Sequence, residues 1–383
     1  MRSCGRLGCW RSAGVVAAFL LPVPFVSAQV PYVSQVAGEV SQAEVTSTIQ
    51  TLQDFGTRYS LTSQCDDAAD WIFTTMVDYG LEVSYEEFQF AGKTLRNVVG
   101  RLEGSLYPDD VLIVGAHYDS TSESPLTYAP GADDNASGVA GVLEAARILS
   151  QYRSESTIEF ICFGGEEQGR LGSKHNAAEA AGAGKNILGM VNLDMIGYWP
   201  ESSDRELDIG KNEASSWLAD VAENAALTYA SIPVHNWPDT GVCYDDQVSY
   251  WEQGYDAIVL MDCYEAHLDP GGSGESTPHY HRTSDTISTL DLAQTTEAVR
   301  TTVAAMALLS STFLDASKLP ATASVLLTWD GGVPPYVVEA CTVSDCSTGA
   351  EELTPPGGTL ATEWTHEGVL YDGVDYYYRV RTF

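Results

Sequence analysis

The sequence predicts an α/β fold: a mostly parallel sheet covered by helices on both faces, with a small β-sandwich module at the C-terminal end. Three observations carry this. Short apolar runs alternate with longer helical stretches, the pattern of βαβ units. One run, Val111-Leu112-Ile113-Val114, is continuously apolar, as in a strand buried on both faces. After Lys318-Leu319-Pro320 the helical stretches stop, and short alternating segments separated by Gly and Pro take over.

Taken in order, residues 41–53 and 65–79 read as helices. The second carries Ala69, Ile72, Phe73 and Met76 at helical spacing and stops at Gly80. Leu81 to Phe90 alternates as a strand, and Arg96 to Leu102 is another. The buried run from Val111 follows, then a loop rich in Ser, Thr and Pro, then a helix from Ser137 to Tyr152 with Val139, Val142, Leu143, Ala146 and Leu149 on one face. Thr157 to Phe163 is a strand that breaks off at Gly164-Gly165-Glu166-Glu167 and leads into a helix reaching Ala181. Ile187 to Ile196 is apolar again. A helix over Glu213 to Ala226, a strand over Tyr255 to Met261 and a closing helix over Leu290 to Leu314 complete the first unit. Residues 29–316 are expected to form this domain. Residues 320–383 form the β module, which resembles a short fibronectin type III-like unit in its Trp329 strand and its Tyr-rich Tyr376-Tyr377-Tyr378 strand.

Residues 1–28 have the form of a secretory signal peptide. Arg2, Arg6 and Arg11 precede a short apolar run, Ala13 to Phe25, and Val26-Ser27-Ala28 offers a small-residue cleavage site. The run is too short to span a bilayer, so a secreted chain, extracellular or periplasmic, with no transmembrane segment is expected. The net charge of −34 makes nucleic acid and anionic membranes poor partners. Six cysteines follow the leader. Export permits disulfides, Cys341–Cys346 first and Cys243–Cys263 next, while Cys162 in an apolar strand is expected to be a buried thiol. No CxxC pair, HExxH or GxSxG occurs, which disfavours a cysteine zinc site, a zincin and a serine hydrolase.

The chemistry collects at strand ends. His117, Glu167 and Asp194 sit near strand ends, Asp134 just before a helix and His281 in the segment leading to the closing helix, and open α/β sheets place their sites at the carboxyl edge. Two imidazoles and three carboxylates suit zinc or a similar divalent ion, and one carboxylate shared between two ions would make a two-metal site. Glu166 stands beside Glu167, free to act as a general base. Asp119, two residues past His117, can accept the other ring N–H and fix its tautomer.

These residues lie in five blocks: HYD at 117–119, GADDNASG at 131–138, GGEEQGRLGS at 164–173, NLDMIG at 192–197 and HYHRTSDT at 279–286. Together, over roughly residues 41–314, they resemble the secreted M28 zinc aminopeptidases, of the bacterial leucyl aminopeptidase kind. The resemblance implies a three-layer α/β/α zinc-exopeptidase fold and two Zn²⁺ per chain. His117 and Asp194 would hold one ion, Glu167 and His281 the other, and Asp134 would bridge both. It further implies Glu166 as general base, Tyr280 at the place where some members set a Tyr hydroxyl on the oxyanion, and a cis peptide bond at Asp134–Asn135. The activity implied is removal of the N-terminal residue from peptides with a free N-terminus, by a monomer. One departure stands out. Many relatives have Ser-Asp-His where this chain has Asp245-Asp246-Gln247, which bears on the pocket and on bonding around the site. Asn135-Ala136-Ser137 spells a glycosylation triplet, but its place at a metal-site helix start should make it inaccessible. On the same fold, a carboxypeptidase would need a cationic clamp, for which Arg170 and Arg282 are the nearby candidates, and the glutaminyl cyclase relatives use one zinc. A non-catalytic binding protein is the third alternative.

Overall fold

A computed structural model describes residues 31–199, 206–238, 245–262 and 277–310, and the strands at 324–328, 336–341, 351–352, 363–367 and 377–382. The expected signal peptide, both expected disulfides through Cys346, Cys243 and Cys263, and most of the linker after the closing helix lie outside these residues.

Eight strands form the central sheet: β1 (Glu82–Phe90), β2 (Lys93–Leu102), β3 (Tyr107–His117), β4 (Ser156–Phe163), β5 (Asn186–Leu193), β6 (Leu207–Lys211), β7 (Val234–Pro238) and β8 (Ala257–Met261), in the order β1-β2-β4-β3-β5-β8-β6-β7. The helices are α1 (Pro31–Gly38), α2 (Gln42–Asp54), α3 (Ser63–Asp78), α4 (Gly138–Leu149), α5 (Leu171–Ala183), α6 (Ser216–Ala225), α7 (Gln247–Trp251) and α8 (Leu292–Leu309). Several starts are capped as their residues dictate. Ser41 accepts the Glu44 N–H, Thr62 the Cys65 N–H, and Asp291 those of Ala293 and Gln294.

The sheet is mixed rather than mostly parallel, which corrects the sequence expectation. β4, β3, β5 and β8 run parallel, but β1–β2, β2–β4 and β6–β8 are antiparallel. The physical cause on one side is a hairpin. Ala91 and Gly92, between β1 and β2, both take positive φ (48° and 82°), as a two-residue primed turn requires. Short elements of the first unit, α1, β6, β7 and α7, are absent from the sequence expectation. Each is too brief for its periodicity to stand out.

The parallel centre is buried on both faces, as its apolar run predicted. Leu112, Val114 and Ala116 of β3 join Ile158, Phe160 and Cys162 of β4 in a large core shared with α2, α3, α4 and α8. Ile113, Ile161 and Phe163 point the other way, against Ala177 and Ala180 of α5 and Tyr250 of α7. Helices on both faces make three layers. Cys162 is a buried free thiol, as expected, and Cys65 is another. No helix among the described residues is long and apolar enough to cross a membrane.

The chain leaves β3 through α4 to β4 on one side, then crosses through α5 to β5 on the other side of β3. That reversal opens a crevice at the carboxyl ends of β3, β4 and β5. In the C-terminal region the backbone forms two small antiparallel sheets. β10 (Tyr336–Cys341) pairs with β11 (Glu351–Glu352) and β13 (Tyr377–Thr382), and β9 (Ser324–Thr328) pairs with β12 (Glu363–Glu367).

Candidate metal centre

Three strand ends, one helix-opening turn and one loop bring the expected donors together. His117 is the last residue of β3, and Asp194 follows the last residue of β5. Glu166 and Glu167 lie in the turn after β4, Asp134 in the tight turn Ala132–Ser137 that opens into α4, and His281 in the loop before α8. The turn after β4 depends on Gly165, whose φ of 73° a side chain would strain.

The donors form two groups that share Asp134: His117, Asp134 and Asp194, and Asp134, Glu167 and His281. His117 Nε2 lies 3.3 Å from Asp134 Oδ1 and 3.3 Å from Asp194 Oδ1. His281 Nε2 lies 3.3 Å from Asp134 Oδ2 and 3.1 Å from Glu167 Oε2. Each oxygen of one carboxylate thus faces a different imidazole. The Asp134–Asn135 peptide is cis, as the resemblance implied. Asn135 is buried and donates to Leu193 O at 2.8 Å, so the glycosylation triplet is inaccessible.

These distances test the fit of zinc. Tetrahedral zinc with donors at about 2.0–2.1 Å has donor–donor edges of about 3.3–3.4 Å. The observed spacings match that edge, and three protein donors per ion is the usual count where one position is kept for chemistry. Charge agrees. Asp134, Glu166, Glu167 and Asp194 crowd four carboxylates around two imidazoles, and Glu167 Oε1 is buried with no hydrogen-bond partner. Two divalent cations would balance that excess.

Burial and mutual repulsion set the proton affinities of these acids apart. Burial pushes the Glu166 carboxyl well above its usual range. The negative charges of Asp246, Asp194 and Glu167 add to this against the pull of His117. Burial raises Asp194 to about 8 and Glu167 to about 7, with Asp134 adding to the latter. Asp134 moves the other way: burial opposes its ionisation, but hydrogen bonds from His117 and His281 outweigh it and hold it below the ordinary carboxylate range.

Asp119 plays a broader part than the sequence suggested. His117 Nδ1 faces the main-chain oxygen of Asp119 at 3.1 Å, with the carboxylate farther away at 3.6 Å. The ring is therefore oriented chiefly by the Asp119 carbonyl. The carboxylate is spent instead on the next strand end, accepting the N–H of Glu166 at 3.0 Å, the N–H of Glu167 at 3.3 Å and the Ser60 hydroxyl at 2.9 Å. One residue thus ties the His117 strand end to the turn carrying both glutamates.

The centre is lopsided. The His117 side chain is 2% exposed and that of His281 38%. Tyr280, 44% exposed, stacks its ring on His281 with centroids 3.7 Å apart. Burial, then the charges of Asp134, Glu167, Asp194 and Glu166, push its hydroxyl pKa far up, so it stays protonated and able to donate.

Sequence reading left several contributors without a role. Asp285 accepts the N–H groups of Asp133 (2.9 Å) and of the bridging Asp134 (3.1 Å), tying the His281 segment to the shared donor. It is the one acid inside the block at 279–286, which was a visible signal. Asp246 is fully buried with neither carboxylate oxygen hydrogen-bonded. Gln247, the departure noted above, is buried and accepts from Asn192 at 3.3 Å. Away from the centre, Glu206, Asp208 and His235 also converge. There His235 pairs with Glu206 at 3.2 Å, and Asp208 accepts the Trp237 indole N–H at 3.1 Å.

The model of peptidase family M28 matches residues 97–306, over half the chain and every donor of the centre, and the chain belongs to that family. A probable zinc metalloprotease of Pyrenophora teres is 36% identical over 243 residues, 56% of this chain and 52% of that protein. The chain spans about half the length of the curated relatives it matches first. A probable leucine aminopeptidase of Arthroderma otae is 28% identical over 71% of this chain and 74% of its own length. Among solved structures, LapA of Legionella pneumophila has a TM-score of 0.65 at 21% identity, covering 73% of this chain and 76% of that one. A Bacteroides thetaiotaomicron glutaminyl cyclase reaches 0.57 at 20% identity over 70% of this chain and 97% of its own. At such identities the likeness establishes the fold, and a fold shared with a cyclase leaves the reaction to be argued from the site.

Proposed function

We propose that the chain is a secreted metallo-aminopeptidase that hydrolyses the N-terminal residue of peptides at a two-zinc centre. The observation that carries this is Asp134, with one oxygen toward each imidazole and one further carboxylate completing each group of three donors. When bound, two zinc ions would polarise the scissile carbonyl and acidify an attacking water. Glu166, outside both donor groups and held by Asp119 through its backbone N–H, takes the proton of that water and returns it to the leaving amine. Tyr280, protonated and on the open side of the centre, donates to the developing oxyanion. The carboxylates around the site hold the free α-ammonium of the substrate.

The alternatives have weaker support. Arg170 is engaged with Glu252 at 3.1 Å and is not free to clamp a C-terminal carboxylate. A single-zinc cyclase would leave one complete donor group without use. The relatives named as a probable leucine aminopeptidase and a probable zinc metalloprotease support the peptidase reading. The test is a panel of aminoacyl p-nitroanilides with and without a chelator. Free-amine substrates should be cleaved, and their N-acetyl counterparts should not. Equal cleavage of both would sink the exopeptidase assignment.

The unit from 29 to 316 carries the chemistry in this reading, and the C-terminal strands form a separate β-sandwich module. Every donor lies between His117 and His281, and the family match ends at 306. A chain ending at Ala316 is expected to hydrolyse small substrates at near-normal rates. Loss of activity in a folded, metal-loaded protein of that length would show that the module contributes to the site.

A further inference from the structure

Arg58 is the largest fully buried side chain among the described residues, and its partners are all main-chain carbonyls. Nε donates to Tyr118 O at 2.7 Å, Nη1 to Leu52 O at 3.0 Å and Pro130 O at 2.7 Å, and Nη2 to Gly131 O at 2.8 Å. Four of the five guanidinium N–H groups are used. Tyr118 lies between His117 and Asp119. Pro130 and Gly131 enter the turn that carries Asp134. The residues from Asp119 to Ala129 form the loop between these points, and the guanidinium pins both of its ends. Main-chain bonds reinforce the clamp. The Arg58 N–H donates to Ser120 Oγ at 3.1 Å, Ser120 N–H returns a bond to Arg58 O at 3.2 Å, and the Ser120 hydroxyl donates to Ala129 O at 2.8 Å. Gly131 leaves room for it: with φ 50°, a Cβ there would sit 2.9 Å from Arg58 Nη2 and 2.4 Å from Asp134 O.

We propose that Arg58 is a positioning residue of the metal centre, setting the separation between the His117 strand end and the Asp134 turn. The inference rests on the two-metal reading above. Its specific consequence is asymmetric. His117 and Asp134 are both donors to the buried ion, with Asp194 the third, whereas Glu167 and His281 belong to segments that Arg58 does not touch. A planar guanidinium reaches carbonyls in several fixed directions at once. A lysine ammonium is a point charge with three donors and cannot reproduce that fork.

The test uses the full chain stripped of metal and titrated with cobalt(II), followed by calorimetry and by the visible spectrum. Wild-type protein should take two equivalents. Arg58→Lys should weaken the ion held by His117, Asp134 and Asp194, two of whose donors it positions, at least about tenfold, the usual scale for outer partners of metal ligands, and the ion held by Asp134, Glu167 and His281 by less. Its visible band should change and, after zinc loading, kcat should fall more than KM rises. A lower Tm with two ions bound at wild-type affinity and an unchanged spectrum would make Arg58 merely structural and overturn the proposal. Should Arg58→Lys fail to fold, Ser120→Ala removes one anchor of the clamp while leaving the guanidinium. It should weaken the same ion to a smaller degree, and unchanged affinity there overturns the proposal equally. Wild-type protein that binds no cobalt would instead bring down the two-metal reading itself.

Discussion

Glu166→Gln is expected to lower kcat by roughly 10² to 10⁴-fold, the range for loss of a positioned general base, with both metal ions still bound. The reason is placement. Glu166 neighbours a donor without belonging to either donor group, and its backbone N–H is fixed by Asp119 at 3.0 Å. Gln keeps the shape and the backbone bond but cannot take a proton. Glu167→Ala, one residue away, should act differently. It removes a donor 3.1 Å from His281 and should release the ion on the open side. Metal content and kcat measured on both variants separate the roles. If Glu166→Gln lost metal to the same extent as Glu167→Ala, the assignment of base and ligand would be wrong.

Asp134→Ala should be more damaging still, abolishing activity and emptying both positions. With Asp134 present each group has three protein donors. Without it, His117 and Asp194 remain on one side, and Glu167 and His281 on the other. Two donors fall short of the three that hold catalytic zinc. Asp194→Ala, by contrast, should cost one ion. Metal analysis after dialysis is expected to give near zero for the first variant and about one ion per chain for the second. The loss should also appear as stability. A ligand at a hundred times its Kd stabilises the folded state by about 2.7 kcal/mol, so chelation of the wild-type protein should lower Tm, and zinc should restore it. Two ions retained by Asp134→Ala would remove the shared carboxylate from the centre.

Much of this centre was legible in the sequence because metal chemistry restricts residue type. A His closing an apolar strand, two acids after paired glycines and an acid at the end of another strand are local patterns, and each can be read without knowing its neighbours. The antiparallel edges were not legible in the same way. An apolar run announces a strand, but its direction relative to the next depends on turns such as Ala91-Gly92 and on where the chain returns. β6 and β7 have five residues each, too few to show a period.

The sequence by itself pointed to an α/β fold through hydrophobic periodicity, and to the five donors through side-chain chemistry together with the resemblance of five blocks to one family. The tertiary structure brought the donors together in the grouping that the family resemblance implied. Asp134 and His281 are far apart in the chain, and only the crevice beside β3 brings them to 3.3 Å. It also reassigned the Asp119 carboxylate from the His117 ring to the backbone of the two glutamates. It gave Arg58 and Asp285 their places, one gripping the carbonyls of Pro130 and Gly131 ahead of the bridging residue and the other the amides of Asp133 and Asp134. Main-chain hydrogen-bonding groups are the same at every non-proline position, so which of them a buried charge will meet is written in the path of the backbone rather than in the identity of the residues it touches.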